Sequence, residues 1–188
     1  DMIRDVEDMN AILDQFLAFV RDGSDEPVET TDLGELIREV VAPYNQQQEI
    51  VRLCVEPMPP FALRRVSVKR LLVNLIENAL RYGGDGVEVA AYVSGDQHAP
   101  YVVLSVLDRG PGIDPAELEG LFNPFIRGDR ARGGQGAGLG LAIVKRIASQ
   151  HGGIVELRNR EGGGLEARVS LPLGLLLPRD AVQGKPAE

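Results

Sequence analysis

The sequence has a single cysteine, Cys54, so no internal disulfide can brace the fold, and a reducing cytoplasm suits it. Cys54 lies in the apolar run Ile50 to Val55 and is expected as a small core residue. Positive charge is also scarce: 20 Lys and Arg against 28 Asp and Glu leave a formal net charge of -8. General affinity for nucleic acid or an anionic membrane surface needs the opposite balance, so neither is expected as a partner. No uninterrupted apolar stretch approaches the ~20 residues that cross a bilayer, and the acidic first residues have neither the basic nor the apolar region of a signal peptide. Histidine occurs only twice. His98 sits in the turn-like Gly95-Asp-Gln-His-Ala-Pro100 and His151 ends a helical pattern before Gly152-Gly153, so both are expected as structural or solvated residues.

What is present suffices for one domain and a short appendage: 188 residues, 44% hydrophobic. Ile3, Val6, Ile12, Leu13, Phe16, Leu17 and Val20 recur at helical spacing, which predicts an amphipathic helix over 1–22. Residues 23–31 lack an apolar period and read as a linker, 32–173 as the globular domain and 174–188 as a tail. Within the domain, Asp32 caps a predicted helix to about Tyr44, and Ile50 to Val55 reads as a strand. Ser67 is expected to cap a strongly periodic helix to about Tyr82. Val87 to Val93 and Tyr101 to Leu107 read as strands, and Asp114 to Gln135 as a long loop with one helical turn. A helix from about Gly138 to Gln150 precedes two closing strands near Ile154 to Arg158 and Leu165 to Leu171, joined by a Gly162-Gly163-Gly164 turn. This grouping predicts an α/β fold, a two-layer sandwich of a mixed sheet with helices on one face.

Three constellations carry possible chemistry. In the Ser67 helix, Leu71, Leu72, Leu75, Ile76 and Ala79 form an apolar stripe, while Asn74, Asn78 and Arg81 recur on the opposite side. Two asparagines one turn apart are either solvated surface or neutral oxygen donors for Mg2+, with Arg81 supplying charge to phosphate. Asp108 ends a strand before Gly110-Pro-Gly112, where its carboxylate either caps the turn or accepts from an exocyclic amine such as that of adenine. Gly136-Ala137-Gly138-Leu139-Gly140-Leu141 opens the last helix, whose unpaired amides favour phosphate. Its glycine spacing is neither the dinucleotide pattern nor the phosphate loop, and alone it is weak evidence. Arg127, Arg130, Arg132 and Gln135 concentrate donors just upstream.

Taken together, Asn74-Leu-Ile-Glu-Asn78-Ala-Leu-Arg81-Tyr82, Asp108-Arg-Gly110-Pro-Gly112, Phe122-Asn-Pro124-Phe125 and Gly136-Ala-Gly138-Leu-Gly140-Leu141 resemble the N, G1, F and G2 boxes of sensor histidine kinases, in order. The domain resembles the ATPase superfamily shared with gyrase, Hsp90 and MutL, with the Bergerat ATP-binding fold. Within the kinases it is most similar to the EnvZ osmosensor type, through Leu121-Phe-Asn-Pro-Phe-Ile-Arg-Gly-Asp-Arg-Ala-Arg132 and the Asp5 to Arg21 helix.

The resemblance implies ATP and Mg2+ as cofactors, with Asn78 on the metal and Asn74 and Arg81 supporting the phosphates. It places Tyr82 on the adenine or ribose side, Asp108 on the adenine amine, and Ala79, Leu80, Gly110, Gly112 and Ile113 around the nucleotide. Arg127, Gly128 and Gln135 are implied in an ATP lid anchored by Phe122 and Phe125, and Gly136 and Ala137 to Leu141 at the triphosphate. The N-terminal helix resembles the second helix of the dimerisation hairpin. Its missing partner bears a His-Glu/Asp-x-Arg motif in the family, and neither histidine here fits that motif. The implied partners are these dimerisation and phosphoacceptor helices and a response-regulator receiver domain. The implied parent sits in the bacterial inner membrane with this domain on the cytoplasmic side.

Hydrolases of the superfamily carry a glutamate base four residues before the metal-binding asparagine. That position here is Asn74, which accepts no proton at neutral pH, and Glu77 is displaced by roughly 60° around the helix. Phosphoryl transfer to histidine is therefore expected over efficient hydrolysis. An ATP-driven clamp or chaperone, or a pseudokinase scaffold, are the alternatives.

Overall fold

The computed structural model describes residues 25–84, 86–96, 98–126 and 138–174, together with Leu13, Phe16 and Leu17. Its centre is a five-stranded sheet built from β2 (Val51–Val55), β4 (Val87–Ser94), β5 (Tyr101–Leu107), β6 (Ile154–Asn159) and β7 (Leu165–Pro172), in the order β2-β4-β5-β7-β6. Only β2 and β4 run parallel, so the sheet is mixed. β5, the near-continuous apolar run Tyr-Val-Val-Leu-Ser-Val-Leu, takes the middle place, where a strand is paired on both edges.

Register decides which residues face the core. Val89 pairs with Val106, Ala91 with Leu104, Val106 with Ala167 and Leu104 with Val169, which lines apolar side chains along one face. Against that face pack α1 (Leu33–Val41), α2 (Arg65–Gly83) and α3 (Gly140–Gln150), in one hydrophobic cluster with the strands. The opposite face carries Glu88, Tyr92, Glu156, Arg158 and Arg168, with Ser105 bonded across it to Glu166. The expected two-layer α/β arrangement is the one observed.

Each helix follows its sequence period. Leu33, Leu36, Ile37, Val40 and Val41 bury one side of α1, and the Asp32 carboxylate caps it through the Glu35 amide at 2.9 Å. In α2 the stripe Leu71, Leu72, Leu75, Ile76 and Ala79 is buried as expected, each large aliphatic contributing about 1.5–3 kcal/mol. Its start differs from expectation. The helix begins at Arg65 with Arg64 as N-cap, so Ser67 lies inside the first turn instead of capping it.

Two further elements have no periodic signal because they are three residues long. β1 (Glu29–Thr31), inside the segment read as a linker, pairs antiparallel with β3 (Phe61–Leu63), which follows Pro59-Pro60. Cys54 corrects a second expectation: it pairs with Ala90 on the sheet face away from the helices and is only half-buried. Of the N-terminal segment, Leu13, Phe16 and Leu17 are helical and exposed, and their spacing puts them on one face. The rest of 1–24 and the tail 175–188 lie outside the described residues. No helix among the described residues is long and apolar enough to cross a membrane.

Candidate functional site

α2 and the start of α3 meet at the two asparagines. Asn74 donates through Nδ2 to the Arg70 carbonyl at 2.9 Å, one turn back, which fixes its amide. A Cβ at Gly140, the first residue of α3, would lie 3.1 Å from Asn74 Oδ1 and 3.5 Å from Asn78 Nδ2. Glycine is thus what lets the α3 terminus close on the amides of α2. The half-buried Asn78 side chain makes no hydrogen bond among the described residues, which leaves its oxygen available. Leu139, the N-cap of α3, offers no side-chain cap to the amides there. Positive dipole and two amide side chains therefore converge on one spot. Glu77 is exposed, one position before Asn78 on α2. Burial first, and then the Glu77 charge, raise the Tyr44 hydroxyl above its ordinary range.

Asp108 occupies the end of β5 and is 7% exposed. Its Oδ1 accepts from the Gly110 amide at 2.8 Å and the Leu165 amide at 3.0 Å. Oδ2 has no partner among the described residues, yet no partnerless side-chain oxygen there is sealed from solvent, so Oδ2 is open to an incoming donor. The turn-capping reading of Asp108 is met by Oδ1, and Oδ2 is left without a donor among the described residues. Gly83 ends α2 against this carboxylate: a Cβ there would lie 2.2 Å from Asp108 Cβ. Gly110 in turn packs on Gly83 and the Tyr82 carbonyl, so the turn after β5 and the end of α2 interlock. Arg81 and Tyr82 are exposed at that end, with the guanidinium 6.0 Å from the ring centroid. Ala79 is buried, and Leu80 and Ile113 pack partly against the core.

The long loop before α3 is tied at its base by the Phe125 amide, which donates to the Gly138 carbonyl at 3.0 Å. Gly138 has φ 68° and Phe125 has φ 66°, a strained value for an aromatic residue. Phe122 packs on the core with Lys145 over its ring at 5.6 Å, as an apolar anchor should. Phe125 does not: it is 59% exposed. The left-handed backbone that lets its amide reach Gly138 turns its ring outward. Leu139 is fully buried and Leu141 partly so. Arg127, Gly128, Arg130, Arg132, Gln135, Gly136 and Ala137 lie outside the described residues.

Asn159 at the end of β6, with Arg160 and Gly164 of the β6–β7 turn, closes on the site, and none of the three was anticipated. Asn159 grips Ile113 twice, accepting from its amide at 2.9 Å and donating to its carbonyl at 2.6 Å. Arg160 donates to the Asp108 carbonyl at 2.5 Å. Gly164, φ 106°, approaches so closely that a Cβ would lie 2.1 Å from the same oxygen. The Gly162-Gly163-Gly164 signal was visible, but a turn signal does not tell what the turn touches. A cavity of about 430 Å³ opens nearby, lined by Arg52, Glu88, Arg109 and Arg160 among others. It includes none of Asn74, Asn78 and Asp108, so it is a neighbour of the site.

The arrangement has an acceptor for an amine at one end and a helix terminus with two amides at the other, which fits an adenine nucleotide. No group of three or more His, Cys, Asp or Glu able to hold a metal occurs among the described residues. Mg2+ fits only as phosphate chemistry allows, with the unpartnered Asn78 oxygen as a single neutral protein donor.

Residues 64–175 match the family described as histidine kinase-, DNA gyrase B- and HSP90-like ATPase. Among curated proteins, the sensor histidine kinase GtrS of Pseudomonas aeruginosa is 38% identical over 176 residues, 92% of this chain and 35% of that protein. The sensor protein kinase PmrB of the same organism is 33% identical, over 90% of this chain and 36% of its own. The chain thus spans about a third of the length of these relatives. Among solved structures, the histidine kinase domain of the E. coli osmosensor EnvZ is 35% identical with a TM-score of 0.61, covering 89% of this chain and 99% of that one. Full-length ShkA in complex with AMPPNP gives a TM-score of 0.72 at 25% identity, covering 92% of this chain and 37% of that one.

Proposed function

The chain belongs to the histidine kinase-, DNA gyrase B- and HSP90-like ATPases, as a histidine kinase ATP-binding domain, and on that premise we propose that it transfers the γ-phosphoryl group of ATP to a histidine on a dimerisation helix. The observation that carries this reading is Gly140 seated on Asn74 and Asn78, with an amide at Asn74 where a hydrolase of the superfamily carries its glutamate base. Asp108 Oδ2 accepts from the adenine amine, while Gly110, Gly112 and Ile113 shape the ring's seat. Ala79, Leu80 and Tyr82 border the base and ribose. Asn74 and Arg81 support the phosphates at the α3 terminus, and Arg127, Gly128, Gln135 and the backbone of Gly136 to Leu141 are assigned to the same phosphates. Mg2+ bound through Asn78 supplies charge neutralisation on the phosphate oxygens.

In the transfer, an imidazole nitrogen attacks the γ-phosphorus, the bond to the β–γ bridging oxygen breaks and ADP leaves. The ring proton passes to the acidic neighbour of the acceptor histidine. Work of this kind is done by positioning and electrostatics, which amides and a helix terminus provide without a general base on α2. The phosphorylated histidine then supplies a response-regulator receiver domain. We place the domain in the cytoplasm, where ATP is, beneath a parent kinase of the inner membrane. The clamp or chaperone reading lacks a base for hydrolysis at Asn74.

The test is calorimetry of Mg2+-ATP binding with Asn78→Ala, its fold checked by circular dichroism. Affinity should fall at least tenfold and lose its Mg2+ dependence, a change of about 1.4 kcal/mol or more. Equal affinity in the folded variant would refute the metal role.

A further inference from the structure

α2 carries both asparagines, yet its own sequence leaves its N-terminus uncapped. The N-cap residue Arg64 has the extended backbone of a cap, φ -89° and ψ 102°, but no side-chain bond to the first turn. A guanidinium has donors only and cannot accept from an amide. The missing acceptor arrives from another part of the chain. Glu26 receives the Val66 amide on Oε1 at 2.5 Å, and the Ser67 amide and hydroxyl on Oε2 at 3.0 and 2.5 Å. Its backbone carbonyl is held as well, by Arg64 Nε at 3.2 Å. Pro27 follows directly and biases Glu26 toward extended backbone. Of the described residues ahead of β1, Glu26 is the one whose side chain bonds to α2.

We propose that Glu26 is a positioning residue for phosphoryl transfer: it clasps the incoming segment onto the first turn of α2 and so sets the angle at which the nucleotide on α2 is presented to an acceptor helix. This rests on the kinase reading above. The arginine at the cap position makes the clasp necessary. A helix with its own Asp or Ser there would be capped wherever the segment lay, whereas the Val66 and Ser67 amides of α2 find their side-chain acceptor only when Glu26 is docked. Arg64 extends the junction to α3, reaching the Gln150 carbonyl at 3.4 Å and giving its amide to His151 Nε2 at 3.0 Å. The segment, α2 and α3 therefore meet at one node, at the end of both helices remote from Asn78 and Gly140.

Two roles for Glu26 are separable, because a cap can be restored without the clasp. Glu26→Ala removes the cap and the carboxylate's part of the clasp, leaving only the Arg64 bond to the residue 26 carbonyl; adding Arg64→Asp returns an N-cap acceptor to α2 and removes that last bond, which leaves the segment free. The thermal midpoint, Mg2+-ATP affinity and labelling of an added peptide bearing the first, histidine-carrying helix are measured for the parent, E26A, R64D and E26A/R64D. E26A should lower the midpoint, keep ATP affinity within about twofold and slow transfer about tenfold, as misorientation does. The double variant should recover the midpoint but not the transfer rate. Recovery of both, unchanged transfer in E26A, or loss of ATP binding in a folded E26A overturns the proposal. A parent that binds ATP but labels no added helix sinks the kinase reading itself. The clasp is then judged by hydrogen exchange over residues 25–31: faster exchange in E26A that R64D does not reverse upholds it, and unchanged exchange overturns it.

Discussion

Asp108 shows how tightly a single carboxylate is boxed. One oxygen is spent on two backbone amides, its main-chain carbonyl is held by Arg160, and the α-carbons of Gly83 and Gly164 close on either side. Gly83→Ala forces a methyl into a space 2.2 Å from Asp108 Cβ, so either the end of α2 or the carboxylate must move. ATP affinity is expected to drop at least tenfold, with α2 still helical by circular dichroism; calorimetry returning the parent value would show that Asp108 does not hold the base. Specificity follows from the same oxygen. On the proposed function, an Oδ2 that accepts from the adenine amine would repel the carbonyl that guanine presents there, so Asp108→Asn should weaken ATP binding, and the parent should discriminate against GTP. Competition between the two nucleotides checks this, and equal binding refutes it.

Among elements, the helices were legible in the sequence because burial and period agree: the stripe from Leu71 to Ala79 sits where 3.6-residue spacing puts it, and Asn74 and Asn78 fall on the other side. The central strand was legible as the apolar run Tyr101 to Leu107. What was illegible depends on contacts between distant segments. Asn159 and Arg160 lie in an ordinary strand end, Glu26 in an ordinary acidic linker, and nothing local marks their partners 46, 52 and about 40 positions away. Phe125 was misread for a related reason, since motif position does not reveal a left-handed backbone. His151 was read correctly as structural, but its task is between elements. Its ring is 1% exposed, with Nδ1 2.8 Å from the Ile147 carbonyl and Nε2 accepting from the Arg64 amide. That pattern requires the neutral form with the proton on Nδ1. Burial is the main cause holding its pKa below 6.5, with Arg64 adding to it and the Ile147 bond and Glu26 opposing. The native state therefore binds fewer protons than the unfolded chain as pH falls below 6.5. This contribution to stability is complete above that pH, declines as pH drops toward the lower native value, and levels off beneath it. Thermal midpoints measured from pH 8 to 5 should show that slope in the parent and lose it in His151→Ala, which also costs about 1–3 kcal/mol for the orphaned amide. A parallel pH profile in both proteins contradicts the assignment.

At the scale of the whole molecule, the two histidines stand apart from the elements to which the proposed transfer is assigned. His98 is in the β4–β5 turn, at the start of β5, whereas Asp108 follows its end; seven residues at ~3.3 Å separate them by roughly 20 Å along the sheet. His151 caps the far end of α3, eleven residues and ~16 Å from Gly140, with both ring nitrogens occupied and the ring enclosed by protein. An in-line attack on a γ-phosphorus at the α3 N-terminus needs a nitrogen within about 3.5 Å of it. His151 can supply one only if the end of α3 unfolds, and His98 lies at the opposite end of β5 from Asp108. Labelled ATP incubated with this chain alone should therefore leave it unlabelled while calorimetry shows the nucleotide bound. Adding a peptide with the histidine-bearing first helix, which would cover the exposed face of Leu13, Phe16 and Leu17, should place the label on that peptide. Stable label at His98 or His151 would mean that the chain opens far enough to bring one of them to the nucleotide, and the positioning mechanism would then be wrong for this protein.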